Sequence, residues 1–138
     1  MKKITTTVLL LIIAGIAVGS SLQTAATSHE EFWKKFRQAV TNNNKTGVAD
    51  MSRFPIDMPY GMATIRNRTQ LLRRYRQVFE HEGSAAKCFV DAKPVVDANN
   101  KNLFTVGCKN AAGDEVVIYS FTRGASGWKF TGLDNLNE

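Results

Sequence analysis

From Ala85 to Asp134 the apolar residues recur at every second position, and turn-forming residues interrupt them at short intervals. That period belongs to half-buried strands, so the C-terminal part of the chain is expected to form an antiparallel meander. The expected strands cover about 86–93, 102–110, 115–123 and 127–134, joined through Val95–Lys101, Ala111–Asp114 and Gly124–Ser126. Side-chain chemistry tests this layout. Pairing Asn110 with Glu115 sets Cys108 against Val117, Val106 against Tyr119 and Phe104 against Phe121. Placing Cys88 opposite Cys108 in the preceding hairpin sets Val90 against Val106 and Ala92 against Phe104. One face is then apolar or aromatic throughout, and a one-residue slip destroys the agreement. The opposite face carries Lys87, Phe89, Asp91, Thr105, Lys109, Val116, Ile118 and Ser120. Phe89, Val116 and Ile118 form a candidate contact patch there.

The chain holds two cysteines. Directly opposed residues of antiparallel strands lie about 4.5–5.5 Å apart at Cα, close to what a disulfide requires, so a Cys88–Cys108 bond is expected. Closing a loop of roughly 20 residues contributes about 3 kcal/mol in the chain-entropy model. Two cysteines so spaced, with His29 and His81 as the only imidazoles, match no zinc pattern. No metal and no cofactor is expected.

The N-terminus supplies the compartment. Lys2 and Lys3 precede an unbroken apolar run, Val8–Val18, and small residues follow it. The run is shorter than the roughly 20 residues that span a bilayer. Basic start, short apolar centre and small-residue exit are the parts of a secretory signal peptide. Cleavage after Gly19 or after Ala26 is compatible with the residues, and the second is favoured, which divides the chain into a leader 1–26 and a single domain 27–138. The alternative is an uncleaved anchor. Cleavage removes two of the 18 basic residues and none of the 12 acidic ones, so a net charge of +6 falls to +4. The expected location is periplasmic or secreted, where a disulfide persists, with no stable membrane anchor after cleavage.

Three helices are expected before the meander. Ser28 and Glu31 have capping-box spacing, and Phe32, Trp33, Phe36 and Val40 then recur at helical intervals. Asn42-Asn43-Asn44 ends that helix, because short amides compete for backbone hydrogen bonds. A short second helix from about Lys45 to Met51 follows. Pro55 and Pro59 force the Phe54–Pro59 segment into an extended edge strand or connector. Asn67 with Gln70 repeats the capping logic, and Leu71, Leu72, Tyr75, Val78 and Phe79 give the apolar face of a third helix ending near Gly83. The fold class is therefore α+β, three helices packed on a curved four-stranded antiparallel meander with a short edge strand.

This element order, with Phe32-Trp33-Lys34-Lys35-Phe36, Phe54-Pro55-Ile56, Leu71-Leu72-Arg73-Arg74-Tyr75 and Gly127-Trp128-Lys129-Phe130, resembles the nuclear transport factor 2-like superfamily of cystatin-like cones. The resemblance covers about residues 28–134. It implies a sheet wrapped round the helices, with a pocket at the open end of the cone. Trp33, Phe36, Tyr60, Tyr75, Phe104 and Tyr119 are the expected lining. Members of the superfamily include isomerases, dehydratases, ligand binders and dimerisation modules, and fold alone does not choose among them.

The enzymatic members that the chain resembles place an Asp or His in the apolar pocket, where burial tunes its proton affinity. The expected concave face here has neither. Asp57 and Asp91 fall outside it, and no catalytic residue is assigned. Arg66, Arg68, Arg73, Arg74 and Arg76 form the strongest surface feature, either as a solvated helix face or as a contact for an acidic partner. The stacking aromatics of single-strand nucleic-acid binders are missing from that cluster. The expectation is an exported, non-catalytic binding domain, taking a protein partner or a small apolar ligand through the cone pocket or the basic helix. An acidic envelope protein is the candidate partner, nucleic acid is not, and homodimerisation through the outer sheet face is conceivable. The alternatives are a small isomerase- or hydrolase-like enzyme and an inhibitor of an envelope enzyme.

Overall fold

The computed structural model describes residues 27–59, 63–80, 84–110 and 112–136. Residues 1–26, on which the signal-peptide expectation falls, lie outside these residues, as do Tyr60 and His81.

Helix α1 (His29–Thr41) starts at the expected box. The Glu31 amide donates to Ser28 Oγ at 3.1 Å, and the Ser28 amide donates to Glu31 Oε2 at 3.2 Å. Each bond satisfies a donor that the first turn leaves unpaired. Phe32, Trp33, Phe36, Ala39 and Val40 bury one face of the helix. The chain reverses at Asn43, whose φ of 53° is a conformation that asparagine tolerates better than most residues. Asn44 then caps α2 (Lys45–Asp50), accepting from the Gly47 amide at 3.0 Å.

Strand β1 (Ser52–Asp57) follows directly, and Pro55 sits in it because β1 is a sheet edge. After the connection come α3 (Arg68–Arg73) and α4 (Tyr75–Phe79), which share one apolar side through Leu71, Tyr75, Val78 and Phe79. The single third helix expected from periodicity is thus divided at Arg74, whose φ of −102° and ψ of 16° leave the helical range.

The sheet differs from the expected meander at both edges. Its order is β1-β5-β4-β3-β2, with β2 (Val95–Val96), β3 (Leu103–Lys109), β4 (Val116–Gly124) and β5 (Gly127–Asn135). The β3–β4 register is the expected one: Cys108 faces Val117, Val106 faces Tyr119 and Phe104 faces Phe121. Edge strand β1 joins β5 in parallel. The first expected strand, about 86–93, is instead helix α5 (Ala85–Asp91), and only the two residues of β2 pair with β3 on that side. Ser84 caps α5, accepting from the Lys87 amide at 3.3 Å. Ala85 and Phe89, four residues apart, are both buried, so the same short apolar run satisfies a helical period as well as a strand period.

This correction reverses two faces. Phe89, expected outside, is fully buried, and Val90, expected inside, is 59 % exposed. The disulfide survives the change of host element. Cys88 on α5 bonds Cys108 on β3 with a Cα separation of 5.8 Å. It therefore ties a helix to the sheet rather than bridging two strands. Helices followed by a curved, unclosed five-stranded sheet make this an α+β cone.

Candidate functional site

The inside of the cone is filled by aromatic rings. Trp33, Phe36, Tyr75, Phe104 and Tyr119 all belong to the buried core. Phe36 lies 4.9 Å from Phe121 and 5.6 Å from Phe130, centroid to centroid. Phe104 stacks on Phe121 at 4.6 Å, and Trp33 meets Phe89 edge-on at 4.8 Å. Tyr119 donates from its hydroxyl to the Val78 carbonyl at 3.2 Å. The sixth expected lining residue, Tyr60, is outside the described residues. The grooves on the surface are lined by other residues.

Tyr75 is an interior group with a displaced proton affinity. Burial, and secondarily the negative charge of Glu80, push its phenol up to about 12. Its hydroxyl is buried with no hydrogen-bond partner among the described residues. Lys45 places its ammonium 5.3 Å from the ring centroid, a cation–π contact. No carboxylate or imidazole among the described residues is buried, and the buried polar side chains are Ser52 and Asn135.

The arginines occupy a built surface. Ile65 exchanges two backbone hydrogen bonds with Ile56 of β1 (2.8 and 3.2 Å), which fixes the 63–66 segment beside the sheet edge. Asn67 caps α3 by accepting from the Gln70 amide at 2.9 Å. Gln70 in turn accepts from the Arg66 amide at 2.8 Å. Arg74 sits where α3 meets α4, donating from Nη1 to the Ala63 carbonyl (2.6 Å) and from Nε to Gln77 Oε1 (2.7 Å). These contacts outline a groove of about 540 Å³ lined by Ala63, Thr64, Arg66, Gln70, Arg73 and Arg74, with no carboxylate in its walls. A second groove continues past Arg73 and Arg74 to Arg76, Gln77 and Glu80.

The five expected partner-binding arginines separate into two groups. Arg68 is paired with Asp50 at 3.0 Å, Arg76 with Glu80 at 3.0 Å, and Arg74 is spent on the scaffold. Arg66 and Arg73 are exposed, and their guanidinium groups have no partner among the described residues. Each retains a planar fork of donors matched to a carboxylate. Gln70 and Thr64 complete the groove and were missed in the sequence. Gln70 had already been assigned to a cap, and nothing local tells that Thr64 is brought alongside it by the Ile56–Ile65 bridge.

No protein-family model matches the chain, and no curated protein is similar to it. Among solved structures, it is similar to a domain of unknown function with a cystatin-like fold from Nostoc punctiforme, at 18 % identity and TM-score 0.47, covering 78 % of this chain and 73 % of that one. It is also similar to a nuclear transport factor 2-like protein of unknown function from Cytophaga hutchinsonii (12 %, TM-score 0.46, 83 % and 92 % covered). A ketosteroid isomerase-like protein from Erwinia carotovora atroseptica is a third (15 %, TM-score 0.44, 77 % and 90 % covered). The cone of helices and open sheet is the architecture that the resemblance implied.

Proposed function

We propose that this chain is an exported, non-catalytic interaction domain that recognises an acidic protein surface through its arginine groove. The observation that carries the reading is the pair Arg66 and Arg73, exposed and unpartnered among the described residues, over a groove walled without a carboxylate. Guanidinium groups held beside a rigid helix pair present their donors with less loss of freedom than mobile surface lysines do. Export is supported by the leader pattern in residues 1–26 and by the disulfide, which persists in oxidising compartments. Among the described residues no helix is long and apolar enough to cross a membrane.

The interior favours this reading over a pocket enzyme or an apolar-ligand carrier. Proton abstraction needs a carboxylate or imidazole within reach of substrate, whereas the core presents stacked phenylalanine rings. The test is a nuclear magnetic resonance titration with an oligoglutamate peptide. Amide shifts should concentrate at Thr64, Arg66, Gln70 and Arg73, and binding should weaken as salt rises. Affinity should drop about tenfold or more in an Arg66→Gln/Arg73→Gln variant. Shifts scattered over the surface, or unchanged affinity in the variant, would sink the reading.

A further inference from the structure

A different end of the molecule carries a second site. The β4–β5 hairpin, residues Arg123 to Lys129, leans against Thr27, Phe32 and Lys35 at the start of α1 and against Met51 after α2, enclosing a groove of about 440 Å³. Its apolar part is Phe32, Met51 and Trp128, and its charged part is Lys35, Arg123 and Lys129. No carboxylate lines it. Lys35 and Arg123 are exposed and have no side-chain partner among the described residues. Lys129 spends one donor on the Asp50 carbonyl at 2.8 Å, and an ammonium has three. The Asp50 carboxylate is itself engaged by Arg68 at 3.0 Å.

Trp128 belongs to the apolar wall of the groove. It is 5 % exposed, and its indole N–H is buried with no acceptor among the described residues. That atom is closed to solvent, so Trp128 offers a ligand the edge of its ring and not its donor. Aromatic surface and the cationic side chains of Lys35 and Arg123 therefore line one groove, from segments far apart in the sequence. We infer that this groove binds a small amphiphilic anion, a free carboxylate with a short hydrocarbon tail. The carboxylate lies between Lys35 and Arg123, and the tail lies along Met51 and the exposed edges of Phe32 and Trp128. The inference is independent of the arginine groove, with which it shares no residue.

The test uses octanoate against octanol, read on the indole N–H resonance of Trp128 and the amides of Gly124 and Gly127. The chain has two tryptophans, so the resonance missing from Trp128→Phe identifies the signal. If that variant does not fold, Trp33→Phe makes the same assignment by difference. Octanoate should move these signals saturably at concentrations up to roughly 10 mM. Octanol should move them at least about tenfold less, and a Lys35→Gln/Arg123→Gln variant should weaken octanoate by a similar factor. Equal response to octanol, an unaltered affinity in the variant, or no response to octanoate would each overturn the site. Both substituted residues are exposed, so loss of the fold does not confuse the outcome.

Discussion

The aromatic interior and the arginine face are built from opposite materials. Inside, rings from α1, α4, α5 and three strands touch at 4.6–6.5 Å, and what holds them is dispersion and the removal of apolar surface from water. Outside, α3, α4 and the residues flanking them present five guanidinium groups: two paired with acids, one bound to the scaffold and two with no partner among the described residues. A side chain of the interior has many neighbours and one permitted arrangement, so changing it costs stability. A side chain such as Arg73 has few neighbours, so changing it should cost binding alone. The contrast teaches where selection can act on function without endangering the fold: on the face, not in the cone.

Four measurements sharpen or break that contrast. The largest effect should come from Phe36→Ala, which opens a hole among Phe79, Phe89, Phe121 and Phe130. Chemical denaturation should show a loss of about 3–5 kcal/mol. A loss below 1 kcal/mol would mean the interior is loosely filled and pocket-like after all. Next, Cys88→Ser/Cys108→Ser should cost about 3 kcal/mol in the same experiment, the loop-closure contribution of the tether. Ser28→Ala removes one side of the capping box and should cost about 1 kcal/mol. Arg73→Gln should lie within about 0.5 kcal/mol of wild type, since the side chain is exposed and its guanidinium has no partner among the described residues. A large loss there would place the arginine in the fold and remove it from the interface.

The interior can also be titrated. A phenol raised from 10.0 to about 12 in the folded state favours folding while neutral. That contribution is fully present below pH 10 and is lost as pH rises towards 12. Wild type should therefore lose more stability across this window than Tyr75→Phe, as measured by denaturation midpoints at successive pH values. Parallel curves would show that the Tyr75 hydroxyl is not shielded as the geometry requires.

What could be read in the sequence followed from how local each signal is. The Ser28–Glu31 box and the Asn42–Asn44 stop are complete within a few residues, and both stand in the structure. The β3–β4 register is only slightly less local, because the short Asn110–Glu115 connection leaves little freedom in pairing. The strand expected at about 86–93 failed because so short a run carries both periods, and the decision lies with Ser84 as a cap and Phe89 as a plug against Trp33. The parallel pairing of β1 with β5 spans most of the chain and has no local trace. The arginines were visible as a cluster, but their division into paired and unpaired depended on Asp50, Glu80 and the Ala63 carbonyl. The groove formed by Lys35, Arg123, Trp128 and Lys129 was invisible, since its parts lie about ninety positions apart.

The bond between Cys88 and Cys108 makes a covalent ring of the chain between them. That ring contains the end of α5, the short β2 and the exposed stretch Asn99, Asn100, Lys101 and Asn102. A protease that cuts after Lys101 opens the ring without releasing a piece. The product keeps its mass, gaining only a water, and runs as one species until a reductant separates the two fragments. In an environment rich in proteases, this exposed turn can thus be severed while every strand of the sheet stays attached.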